Sequence, residues 1–301
     1  MVSDVTTRWP TTQIPSDLAH RSSMPPRPSV LLIGDRQHSD FADAVLWLQQ
    51  HCQLQVAADL DAANQVMDQS GLPQVVLFVQ SRPGQFAQAD IETIHARSPL
   101  SRLVVLLGSW CEGEMRTGKP WSGVVRIYWH QWAARIIPEL MPASAGGGGV
   151  WRLPRTASGT EQFAQATEGP WPSGQGLVVI HTRLFCDYQA LSDACQAGGY
   201  SSTWDGPDHS SFADGASCVL CTLIGGDPTE TAVVTRLANR HAPAPVIVLL
   251  DFLRCDDRRR MLDAGAAATL AKPLLVGDLL WHIHQQRPGL GTAAVVPSSV
   301  R

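Results

Sequence analysis

Charge is sparse in this sequence. Of its 301 residues only 17% are charged, 23 basic against 27 acidic, and neither sign forms a run. That argues against a dedicated nucleic-acid protein, which neutralises phosphates with a basic face. Long apolar stretches are missing as well: none approaches the ~20 residues that a membrane-crossing helix needs. Residues 1–28 hold no apolar segment of a secretory signal. The seven cysteines are an odd number without paired spacing, which argues against a disulfide framework and for a reducing cytoplasm. Cys218 and Cys221 have a CxxC spacing, but strand residues three apart face opposite sides and cannot share one ion. There is no G-x-G-x-x-G fingerprint and no helix-turn-helix or basic helix. A soluble, cytoplasmic protein is expected, with no cofactor, no metal site, no membrane association and no DNA-binding domain.

What is present is a packed, repeating α/β chain. A hydrophobic fraction of 44% supports buried cores, and the length allows two domains of ordinary size. Residues 1–28 are rich in Pro, Ser and Thr and read as a disordered tail. From Ser29 short continuous apolar runs, the mark of strands buried on both faces, alternate with amphipathic stretches of helical period. In the first helix Phe41, Val45, Leu46 and Leu48 are expected on the buried face, with Ser39 or Asp40 as cap. After the fourth strand, at Gly108, the pattern lapses into a polar, Gly-rich segment before a fifth strand and a last helix. Residues 142–175, with four consecutive glycines, read as a flexible linker in which Trp151 and Trp171 are apolar islands suited to docking. The order of elements then repeats over 176–287, with a shortened second helix at 208–214, and 288–301 is a second disordered tail. The expected architecture is two flavodoxin-like, doubly wound five-stranded parallel sheets in tandem, over 29–141 and 176–287.

The stretch Pro245–Leu280, with Ala264-Gly-Ala before its last strand and Lys272-Pro273 after it, resembles the second half of a response-regulator receiver domain. The resemblance covers most of the second unit; in the first it rests on element order. It implies a phosphoryl-accepting aspartate at the end of the third strand, an acidic pair after the first for Mg²⁺, a Ser or Thr after the fourth and a Lys after the fifth. In the second unit those positions hold Thr222, His181-Thr182, Leu250 and Lys272, so only the lysine matches. Asp227 and Asp251 lie near the pocket without fitting the pattern. In the first unit Asp35 matches one acidic position, while the acceptor position falls on Val79 or Gln80. Both units thus resemble degenerate receivers, a fold kept without its phosphorylation site.

The most distinctive local chemistry is the segment Trp110–Trp121, with Glu112, Glu114, Arg116 and Lys119 between its tryptophans and His130 after the fifth strand. It should lie at the carboxyl edge of the sheet, where open α/β folds place ligands. Trp and Arg are favoured at interfaces, so the loop reads as a docking or ligand-binding surface, or else as cover for a core lacking one helix. Cys111 beside Glu112 is a poor nucleophile, because a neighbouring carboxylate raises a thiol pKa. His282 and His284, two apart on the last helix, do not share a face and are expected at the surface. Asp256-Asp257 reads as a helix cap and first-turn charge. The expected function is non-enzymatic signalling of the two-component type through contact with an unidentified signalling protein. The alternatives are a small-ligand sensor or enzyme using the Trp110–Trp121 loop, and a scaffold in which the two units pack on each other.

Overall fold

The structure, a computed structural model, describes residues 27–113, 121–141, 149, 151, 153–167, 171–207 and 215–286. The first unit runs β1 (Ser29–Gly34), α1 (Ala42–His51), β2 (Gln53–Ala57), α2 (Leu60–Ser70), β3 (Val75–Gln80), α3 (Gln88–Arg97), β4 (Arg102–Leu107), β5 (Val125–Tyr128) and α4 (Trp132–Leu140). A helix α5 (Gly159–Thr167) follows. The second unit runs β6 (Leu177–His181), α6 (Phe185–Ala197), β7 (Ser201–Asp205), β8 (Ala216–Leu223), α7 (Pro228–Arg240), β9 (Val246–Leu250), α8 (Cys255–Asp263), β10 (Ala266–Ala271) and α9 (Val276–Gln285). The sheets have orders β2-β1-β3-β4-β5 and β10-β9-β8-β6-β7, with every neighbouring pair parallel. These are two doubly wound, flavodoxin-like α/β sheets of the same strand order, the receiver-like fold.

Local chemistry explains the element ends. Asp59 caps α2 by accepting from Ala62 N at 2.9 Å, and Asp227 caps α7 by accepting from Glu230 N at 2.9 Å, with Pro228 at the first helical position. β1 must end in glycine: Gly34 has φ +119°, and a Cβ there would lie 2.7 Å from the Val79 carbonyl oxygen. α1 starts after a 3₁₀ turn, Ser39–Phe41, so neither Ser39 nor Asp40 is its cap, and Asp40 is instead buried. On α1 the buried face carries Val45, Trp47 and Leu48 while Leu46 is exposed, because the helix begins later than its apolar pattern. Asp256 and Asp257 occupy the first turn of α8, whose cap position is Arg254. The second-helix assignment at 208–214 falls outside the described residues.

Side chains alternate between the two faces of each sheet. Leu31 and Ile33 pack with α2 and α3, whereas Val30 and Leu32 pack towards α1 and α4. Cys218 joins the cluster on the α6 and α9 side and Cys221 the cluster on the α7 and α8 side. The cluster on the α1 and α4 face of the first unit is continuous with that on the α7 and α8 face of the second. The two units therefore share a seam. There the Arg135 guanidinium of α4 holds Asp278 of α9, Nε at 3.2 Å from both carboxylate oxygens and Nη2 at 3.1 Å from one. Arg258 of α8 pairs with Asp43 of α1, and the Cys255 thiol donates to Asp40 at 2.9 Å.

The stretch read as linker holds α5, a helix the sequence reading did not assign, started by reciprocal bonds between Ser158 and Glu161. Trp151 packs on the core of the first unit and Trp171 on that of the second, against Gly277. His282 is buried, contrary to the surface position expected from its spacing, because α9 has neighbours on more than one side: its own sheet and α4 of the other unit. No described helix is long and apolar enough to cross a membrane.

Candidate functional site

In the second unit the carboxyl ends of β6, β8, β9 and β10 bring the receiver-equivalent positions to one edge of the sheet. The Thr222 hydroxyl donates to that of Thr182 at 2.8 Å, and the Thr182 carbonyl accepts from Trp204 Nε1 at 3.0 Å. Leu250, at the switch position, is fully buried. Lys272 Nζ lies 2.5 Å from Asp251, so the matching lysine is held by a carboxylate one residue past the switch position. Asp227 is committed to capping α7. Just ahead of that cap, the Glu230 carboxylate accepts from the backbone N–H groups of Ile224 at 2.8 Å and Gly225 at 2.9 Å. His181 Nδ1 is 2.8 Å from Asp205 at the end of β7, with Arg240 3.9 Å from the same carboxylate. Among the described residues no three His, Cys, Asp or Glu side chains are grouped to hold a metal ion.

The same edge is unusually apolar. Leu184, Ile224 and Phe252, on the loops that follow β6, β8 and β9, and Phe185, the first residue of α6, are each more than half exposed. Phe185 and Tyr188 pack on Trp204 at centroid distances of 5.3 and 6.0 Å. Sequence reasoning missed this cluster. Each residue looks like an ordinary strand or helix neighbour, and only the βα topology gathers them on one edge.

In the first unit Asp35 is exposed and accepts from Gln37 N at 2.9 Å, a local turn. It borders a cleft also lined by Asp59, Asp61 and Asp90. Asp59 and Asp90 are likewise engaged by backbone N–H groups, of Ala62 at 2.9 Å and Ala87 at 2.7 Å. Val79 is buried, and the Gln80 amide lies 3.7 Å from the Cys111 sulfur.

The two tryptophans that bound the Trp110–Trp121 loop have different environments. Trp110 is 74% exposed. Trp121 packs edge-on against Phe78 and Phe86, both at 6.1 Å between centroids, and covers the core beside the 3₁₀ turn Ser109–Cys111 that follows β4. Glu112 lies 3.9 Å from His130 Nε2, but His130 belongs to the seam, where it lines a small cavity with Leu274, Asp278 and His282. Burial first, then the nearby Arg135, holds the His130 pKa down to about 4. Glu114, Arg116 and Lys119 lie outside the described residues. Several buried thiols are inert by environment: burial pushes Cys195 and Cys221 up to about 12 and Cys52 to about 11. Cys255 is raised by burial and then by Asp40.

No family model matches the chain, and no curated protein matches it. Among solved structures it is similar to the ChxR receiver domain from Chlamydia trachomatis, 19% identical over 36% of this chain and 94% of that one, with TM-score 0.26. A two-component system response regulator/GGDEF domain protein is 12% identical over 86% and 97%, with TM-score 0.30. The RcsC C-terminus of E. coli, a linker region with a phosphoreceiver domain, is 10% identical over 85% and 90%, with TM-score 0.28. At such scores these likenesses carry nothing about function, and the receiver-like fold stands on strand order and register.

Proposed function

We propose that this chain is a non-enzymatic signalling or regulatory protein of the two-component type. It is built from two pseudo-receivers that have lost phosphoryl acceptance and act through protein–protein contacts. The observation that carries the reading is the self-satisfied pocket of the second unit. Its acceptor position is a threonine bonded to a second threonine, and its lysine, Lys272, is tied to Asp251. Phosphoryl transfer needs a nucleophilic carboxylate with a metal to offset the charge of the transferring group. Neither requirement is served by Thr222, Thr182 and His181. A contact role is supported by the exposed Leu184, Phe185, Ile224 and Phe252, which form the apolar kind of edge that protein partners cover. The ligand-sensor reading has less to support it, since Trp121 is spent on the core and His130 on the seam. The test is incubation of the full chain with acetyl phosphate and Mg²⁺, followed by intact-mass measurement. No phosphoryl adduct is expected; stoichiometric incorporation that disappears in Thr222→Ala or Asp251→Asn would overturn the reading.

A further inference from the structure

The seam between the units gathers more ionisable groups than an apolar interface needs. His130 stands at the end of β5, on the first unit, and His282 on α9, on the second, and both line the same small cavity. His282 is 8% exposed, and its Nε2 has no hydrogen-bond partner. Beside them lies the Arg135–Asp278 pair, 19% and 11% exposed. The groups facing these rings come from several elements: Glu112 from the loop after β4, Arg135 from α4, Asp278 from α9 and Arg258 from α8, itself paired with Asp43 of α1. A histidine that takes up a proton here would do so in a nearly dry space already containing arginine.

We propose that the seam is a proton-operated latch: His130 and His282 keep the units docked while neutral and part them when both become charged. Burial and a nearby arginine, Arg135 for His130 and Arg258 for His282, hold each ring at a pKa of about 4 in place of 6.5. The docked state therefore binds fewer protons than an opened one. Docking is fully favoured above the ordinary histidine pKa and is lost progressively as pH falls from 6.5 towards 4. At pH 5 the shift favours opening by about 20-fold per histidine relative to pH 7, by proton linkage. Asp278 works the other way, since burial raises its pKa and its protonation favours docking on acidification. Burial also raises the Glu112 pKa, so this carboxyl at the rim works in the same direction as Asp278, and the two rings act against both.

The test is small-angle scattering of the full chain from pH 7.5 to 4.5, with far-UV circular dichroism recorded in parallel. The expected result is an increase in maximum dimension below pH 6 while helix content holds, and a His130→Phe/His282→Leu variant that stays compact over the same range. Loss of secondary structure without prior expansion would overturn the latch, and so would expansion of the double variant at the wild-type pH. If that variant fails to fold, histidine ring signals of the wild type decide by NMR. Two rings that gain their protons only as the chain expands, below pH 6, are expected; all rings titrating near 6.5 with no link to expansion would remove the basis of the proposal.

Discussion

Replacing Arg135 by methionine tests how firmly the seam joins the two units. The substitution keeps a long side chain over the apolar contact but removes the three bonds to Asp278. It leaves a carboxylate only 11% exposed without its cation. Breaking a buried pair costs about 3–5 kcal/mol. Because Arg135 is itself 19% exposed and some solvent screens the pair, about 2–3 kcal/mol is the better figure. For units of this size that corresponds to a fall in Tm of roughly 5–10 °C. Burial already raises the Asp278 pKa, and both effects that lower it come from Arg135. In Arg135→Met the carboxyl is therefore neutralised at higher pH, so the penalty is greatest near neutral pH and shrinks as pH falls through the raised value. Urea unfolding at pH 7 of the wild type, Arg135→Met, Asp278→Leu and the double variant gives the coupling directly. The double variant should recover most of the loss, since an apolar pair of similar volume is tolerated in place of a buried ion pair. A single-variant cost below about 0.5 kcal/mol, the range of ordinary surface changes, would refute a closed seam. Strict additivity of the two substitutions would refute it equally.

Two further outcomes distinguish buried from exposed chemistry. Trp121→Ala should cost about 2–3 kcal/mol through lost packing on Phe78 and Phe86, while Trp110→Ala should stay within about 0.5 kcal/mol, both read by thermal melting. At pH 8 under native conditions a thiol reagent should label Cys186 quickly, the one exposed cysteine, and Cys52, Cys111, Cys195, Cys218 and Cys221 only on unfolding, as peptide mapping would show.

The strands were legible because a parallel strand covered on both faces is a continuous apolar run, as in Val30–Ile33 and Val246–Leu250. The places of Thr222 and His181 at the ends of their strands were legible too, since each closes a short apolar run. What the sequence did not disclose was what those groups bond to. Asp205, at the end of an edge strand, meets His181 only through the parallel register of β6 and β7. Arg135 and Asp278 drew no reading from the sequence, because 143 residues separate the two partners. His282 was misplaced for the same reason, since helical spacing describes one helix and not a second unit lying against it. The split of the two loop tryptophans, Trp121 inward and Trp110 outward, likewise depends on the aromatic faces of Phe78 and Phe86.

The apolar cluster shared across the seam has a bearing on how such a chain can change over generations. Either half on its own would display a water-exposed flank of core residues, so shuffling one half into another gene carries a solubility penalty that shuffling the pair does not. Amino-acid changes on the touching flanks are therefore constrained jointly. On that view the pair, and not the single half, is what selection can preserve.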